Sequence, residues 1–84
     1  MAKKIEFTKL DRYIIAEFYH SYQQEILIKS DVVCLISVLR KNNVITSLKT
    51  WSLFSEETPD RLFVMISHVF PDQLKEIMEE YYKN

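Results

Sequence analysis

The chain has 84 residues, 48% of them hydrophobic and 27% charged, with a formal net charge of -1, which describes one small domain over 1–84, since single domains usually run from about 50 to 250 residues. The balance of charge disfavours nucleic acid as partner, because phosphate binding needs a clear basic excess. A lone cysteine, Cys34, excludes an internal disulfide framework.

The start, Met1-Ala-Lys-Lys, leads into mixed-charge sequence and not into an apolar signal core. No stretch approaches the roughly 18 apolar residues of a membrane span, so a cytoplasmic protein is expected. Glycine is absent and proline occurs only at Pro59 and Pro71, a composition poorly suited to tight hairpins and better tolerated by helices.

Leu10, Ile14, Phe18, Tyr22 and Ile26 recur every four residues, with Ile15 and Tyr19 beside them, and predict an amphipathic helix from about Leu10 onward. Ser30 reads as the N-cap of a second helix, with Asp31 in its first turn. Val32 to Leu39 is apolar nearly all round, Arg40 and Lys41 suit the helix C-terminus, and Asn42-Asn43 supplies a left-handed cap in place of glycine. From Val44 to Phe54 the β-propensity of Thr, Val, Ile and Trp competes with helical spacing of Val44, Ile45, Leu48 and Trp51, and a short helix is the favoured reading.

Thr58-Pro59-Asp60 combines an N-cap, a proline at the first helical position and an acid in the first turn. Leu62, Phe63, Ile66, Val69 and Phe70 then share one face. Pro71 breaks that helix, and Asp72 opens a last one with Leu74, Ile77, Met78 and Tyr81 in a stripe. The expected fold is therefore all-α: a compact antiparallel bundle of five or six short helices. The alternative is a winged-helix layout, with a strand at Lys4 to Thr8 and a hairpin pairing 44–54 with 61–69.

The stretch Cys34-Leu-Ile-Ser-Val-Leu-Arg-Lys-Asn-Asn-Val-Ile-Thr46 resembles a signature of caspase-recruitment domains in the death-fold superfamily, with Asn43 standing where that family has a turn glycine. Arg61 to Phe70 is similar to the family's fourth helix and Leu74 to Tyr82 to its fifth, so the resemblance covers roughly residues 30 to 82. It implies a module that assembles with another death-fold domain through oppositely charged faces. The charge distribution suits such use: residues 1–49 hold eight Lys/Arg against five Asp/Glu, and residues 50–84 hold three against seven.

Few residues invite chemistry. Cys34, between Val33 and Leu35, reads as an inert core thiol. Glu17 and His20 have the spacing of half a carboxylate-bridged metal site, but no second copy exists and a boundary histidine is the plainer reading. His68 falls on a helix flank. Without glycine, phosphate-cradling loops and nucleophile elbows are excluded, so no enzyme, cofactor, metal or small-molecule substrate is expected. The exposed side of the helix from Asp31 to Lys41 lacks base-reading residues.

Asp72, Glu76 and Glu80 stack at intervals of four, with Glu79 beside them, where late acids oppose the helix dipole. Trp51, Phe54, Tyr81 and Tyr82 would anchor a partner if exposed. The expected function is a non-enzymatic protein-interaction module, a death-fold-like adaptor or decoy inhibitor. Its candidate contacts are basic Lys9, Arg12, Arg40 and Lys41 and acidic Glu56, Glu57 and Asp60. The rivals are a small microbial or viral inhibitor that binds one enzyme or transcription factor, and a winged-helix DNA-binding regulator.

Overall fold

A computed structural model describes residues 4–44 and 57–82. Four helices occupy them: α1 (Lys9–Gln23), α2 (Lys29–Lys41), α3 (Thr58–Val69) and α4 (Pro71–Tyr82). The described residues thus hold four helices and not five or six. The expected short helix over Val44 to Phe54 falls, beyond Val44, outside them.

Residues 61–69, one arm of the alternative hairpin, lie in α3, which removes the winged-helix layout. Its other proposed strand, Lys4 to Thr8, pairs with no neighbouring strand among the described residues. That arm is held by a side chain instead. Ile5 N–H donates to Gln73 Oε1 at 3.0 Å, and Gln73 Nε2 donates back to the Ile5 carbonyl at 2.8 Å. Phe7 packs edge-on against Phe70, ring centroids 5.1 Å apart.

Thr8 caps α1 through its hydroxyl, which accepts Asp11 N–H at 3.1 Å, while the Asp11 carboxylate accepts Thr8 N–H at 3.2 Å. This is a capping box with aspartate in the reaching position. The helix ends in a Schellman motif: Ile26 N–H reaches the Ser21 carbonyl and Glu25 N–H the Tyr22 carbonyl, with Glu25 at φ 59°. A non-glycine residue therefore takes a left-handed backbone, which costs roughly 1–2 kcal/mol.

The second helix begins one residue before the expected Ser30 cap. Ile28 occupies the N-cap position and donates its N–H to Asp31 Oδ2 at 3.3 Å, so the acid stabilises the end from inside the helix. At the other end Asn43, φ 61°, is the left-handed residue that the Asn-Asn pair predicts. Val44 N–H bonds the Leu39 carbonyl at 2.8 Å, closing a second Schellman motif. Glu57 takes the N-cap position of α3 and Thr58 its first turn, one residue earlier than the Thr58 cap expected, a normal uncertainty at helix ends.

The core consists of Ile15, Ala16 and Phe18 from α1, Val32, Leu35, Ile36, Val38 and Leu39 from α2, Leu62, Ile66 and Phe70 of the α3 segment, and Leu74 and Ile77 of α4. The Cα radius of gyration is 12.1 Å, matching the roughly 12 Å of a compact chain this long. The central helix α1 contacts the other three. Contacts fix the directions: Lys41 lies at the start of α1 and Asp60 at its end, so α2 and α3 both run against α1. Arg12, Glu17 and His20 all meet the last turn of α4, at Glu80 and Tyr82, so the C-terminal end of α4 lies across α1.

Candidate functional site

The candidate basic and acidic contacts separate to the two ends of α1, and several are engaged within the molecule. Lys41 Nζ donates to Asp11 Oδ1 at 2.7 Å. Arg12 Nε donates to Glu80 Oε1 at 3.2 Å, and its NH1 to the Phe7 carbonyl. Asp60 accepts the Tyr22 hydroxyl, which raises the pKa of that phenol. Lys9 and Arg40 are exposed and make no ion pair among the described residues. Glu57 is exposed, and Glu56 lies outside the described residues.

Two chemical candidates take other places than expected. Cys34 is exposed, not a core thiol. Successive helical residues turn by about 100°, so Val33 and Leu35 on either side do not fix where Cys34 points. The core faces of α2 are those of Val32, Leu35, Ile36 and Leu39, while Val33, Cys34 and Ser37 face outward. Glu17 and His20 both act on Tyr82. The Tyr82 hydroxyl donates to Glu17 Oε2, and its ring stacks on His20 at 4.1 Å and 8°. The hydrogen bond to Glu17, then burial, pushes the Tyr82 phenol up to about 12.

A groove of ≈ 960 Å³ runs along α4, where it leans on α1 and α3. Its lining includes the largely buried Leu74 and the partly exposed Met78 from α4, with Tyr19 from α1, Ser67 from α3 and Tyr82 from α4. A second hollow around Gln23 and Gln24 shares Tyr19, Met78 and Tyr82, which extends the groove toward the end of α1.

The tyrosines are held by their backing. Tyr19 and Tyr22, one turn apart on α1, sandwich Phe63 of α3 at centroid distances of 4.8 and 4.2 Å. Ser67, one turn further on, turns its hydroxyl inward to the Phe63 carbonyl at 2.8 Å. Because Glu17 and His20 fix Tyr82, both tyrosines of the groove are ordered before anything binds.

Charge along the groove is uneven. Lys75, Glu76, Glu79 and Glu80 line it. Glu80 is tied to Arg12, whereas Asp72, Glu76 and Glu79 have no ion-pair partner among the described residues. No basic residue occupies the last turn of α4, so its late acids oppose the negative end of the helix dipole, and among them Arg12 compensates Glu80.

The acidic stripe and Tyr82 were legible in the sequence. Tyr19 and Ser67 were not, because only the crossing of α1 and α3 over α4 brings them to the same groove. Comparison of the chain with protein-family models, with curated proteins and with solved structures finds no match. No helix among the described residues is long and apolar enough to cross a membrane.

Proposed function

We propose that the chain is a non-enzymatic protein-interaction module that takes its partner in the groove along α4. The supporting observation is a groove lined by Leu74 and Met78 together with two tyrosines held by Phe63 and His20. Pre-ordered aromatic side chains lose little conformational entropy on binding, and methionine adapts its shape to a partner surface.

The test is site-specific photo-cross-linking in cells that express the protein, with the reactive group at Lys75 on the groove rim or at Ser37 on the outer side of α2. Both positions are exposed. A discrete protein adduct from position 75, absent from position 37 and removed by adding Met78→Glu, is the expected result. Equal adducts from both positions refute the reading.

A second mode is favoured by Lys9 and Arg40, exposed and without an ion pair among the described residues, at one end of α1, with Glu57 and Asp60 at the other. It is the charged-face assembly of a death-fold-like adaptor or decoy. Arg40→Glu disturbs no ion pair among the described residues, so weakened capture of the cross-linked partner by this variant at matched salt would assign binding to that face.

A further inference from the structure

Resting on the groove reading above, we infer that the partner segment is a cationic amphipathic helix: its apolar face sits against Leu74 and Met78 with Tyr19 and Tyr82, and its arginines reach Glu76 and Glu79. The course of the groove along a helix favours a helix as occupant. It runs beside α4, a helix of 12 residues, or about 18 Å at the usual rise. Leu74 and Met78, apolar lining residues one turn apart, match the spacing at which an amphipathic helix presents its anchors.

The charge of that helix follows from the rim. Among the described residues, Glu76 and Glu79 line the groove without ion-pair partners, Asp72 extends the row by one turn, and Lys75 is the one base in the lining. Asp72, Glu76 and Glu80 repel one another at i, i+4 spacing, and Glu79 and Glu80 oppose the dipole of α4. Arg12 relieves only Glu80. A cation laid along the groove relieves the others, so a basic partner gains twice, from its own contacts and from quieting the repulsion within α4.

Arginine fits better than lysine because its planar fork pairs two carboxylate oxygens at once and its face stacks on an aromatic ring. Tyr19 and Tyr82 lie in the same groove as Glu76 and Glu79. An acidic or purely apolar helix would leave Glu76 and Glu79 facing like charge or losing water without compensation.

The probe is a synthetic amphipathic peptide of roughly 14 residues, with leucines at i, i+3, i+4 and i+7 and arginines on both flanks. Two controls accompany it: the same peptide with glutamate for arginine, and a scrambled peptide of identical composition. Backbone amide shifts of the full chain are followed on titration. The arginine peptide is expected to move Ser67, Leu74, Met78 and Tyr82 and to leave Val33 and Ser37 unchanged.

Glu76→Gln and Glu79→Gln should each weaken binding by up to about fivefold at low salt, with the loss shrinking as salt rises. Lys75→Glu, at an exposed position, should tighten it by a similar factor. If the glutamate peptide binds the same amides equally well, or Lys75→Glu weakens binding, the cationic assignment is overturned while the groove stands. Equal binding of the scrambled peptide overturns the helical one. If no peptide moves the groove amides, the groove reading falls too.

Discussion

Asp11 is the most connected polar residue in the bundle, and its removal tests how the two ends of α1 and α2 are joined. Its side chain is 2% exposed and carries a capping bond to Thr8, a 2.7 Å ion pair with Lys41 and a longer bond from Asn42. In Asp11→Ala the capping interaction is lost, at about 1 kcal/mol. The charge-assisted bonds to Lys41 and Asn42 add roughly 1.5 kcal/mol, the low end of their range. The low end applies because Lys41 is 57% exposed and regains water, and Asn42 keeps its 2.8 Å bond to the Val38 carbonyl.

The total, about 2–3 kcal/mol, is a large part of the roughly 4–12 kcal/mol a chain of this length can have. It corresponds to a fall in Tm of roughly 10–20 °C, measured by circular dichroism with urea unfolding as a second assay. The pH dependence has a definite sign. Burial pushes the Asp11 carboxyl up, but Lys41, Thr8 and Asn42 together outweigh it and hold its pKa below the unfolded value of 3.8. A lowered carboxyl stabilises the fold above pH 3.8, and that contribution disappears as pH falls below 3.8 through the folded value.

Asp11→Asn keeps an oxygen for Thr8 N–H but loses the charge. It should cost about 1 kcal/mol at neutral pH and flatten the acid limb of the stability curve. A loss below about 0.5 kcal/mol in Asp11→Ala, or an unchanged acid limb in Asp11→Asn, would refute the assignment of Asp11 as the joint between α1 and α2.

Four further outcomes are expected. Leu62→Ala, at a fully buried site, should cost about 2–5 kcal/mol in urea unfolding, whereas Leu10→Ala, at a position 64% exposed, should stay within about 0.5 kcal/mol. Glu25→Gly should raise stability by about 1 kcal/mol in the same assay, because glycine takes φ 59° without a Cβ clash. The Tyr82 phenol, pushed up to about 12 mainly by Glu17, should titrate later than an ordinary tyrosine in ultraviolet absorbance. Glu17→Gln should bring it down, and the stabilisation it carries is present below the unfolded value of 10 and lost as pH rises through about 12. Cys34 should react with a thiol reagent in the native protein at a rate that denaturant barely changes, since it is already exposed.

The helical character of α1, α2, α3 and α4 was written in local residues. Apolar spacing, the Thr-Pro-Asp start, Pro71 and the left-handed Asn43 each act within a turn or two, so the chain alone determines them. The limits of that reading are equally local. A strict spacing of four drifts by about 40° per step around a helix of 3.6 residues per turn, so the row from Leu10 to Ile26 cannot face one core. Ile14, Phe18 and Tyr22 turn inward to different degrees while Leu10 remains exposed, and Ile26, also exposed, lies beyond the end of α1 at Gln23.

Tertiary structure decided the rest. Which face of the nearly all-apolar α2 is buried depends on α1 being its neighbour, and that contact turned Cys34 outward. The use of Gln73 to hold Ile5, of Arg12 to hold Glu80 and of Lys41 to hold Asp11 joins residues 30 to 68 positions apart. No spacing rule within a helix reaches that far. The groove has the same origin: the sequence supplied an acidic stripe and scattered tyrosines, and only the packing of α1 and α3 against α4 brought Tyr19 and Tyr82 into one groove with Leu74 and Met78.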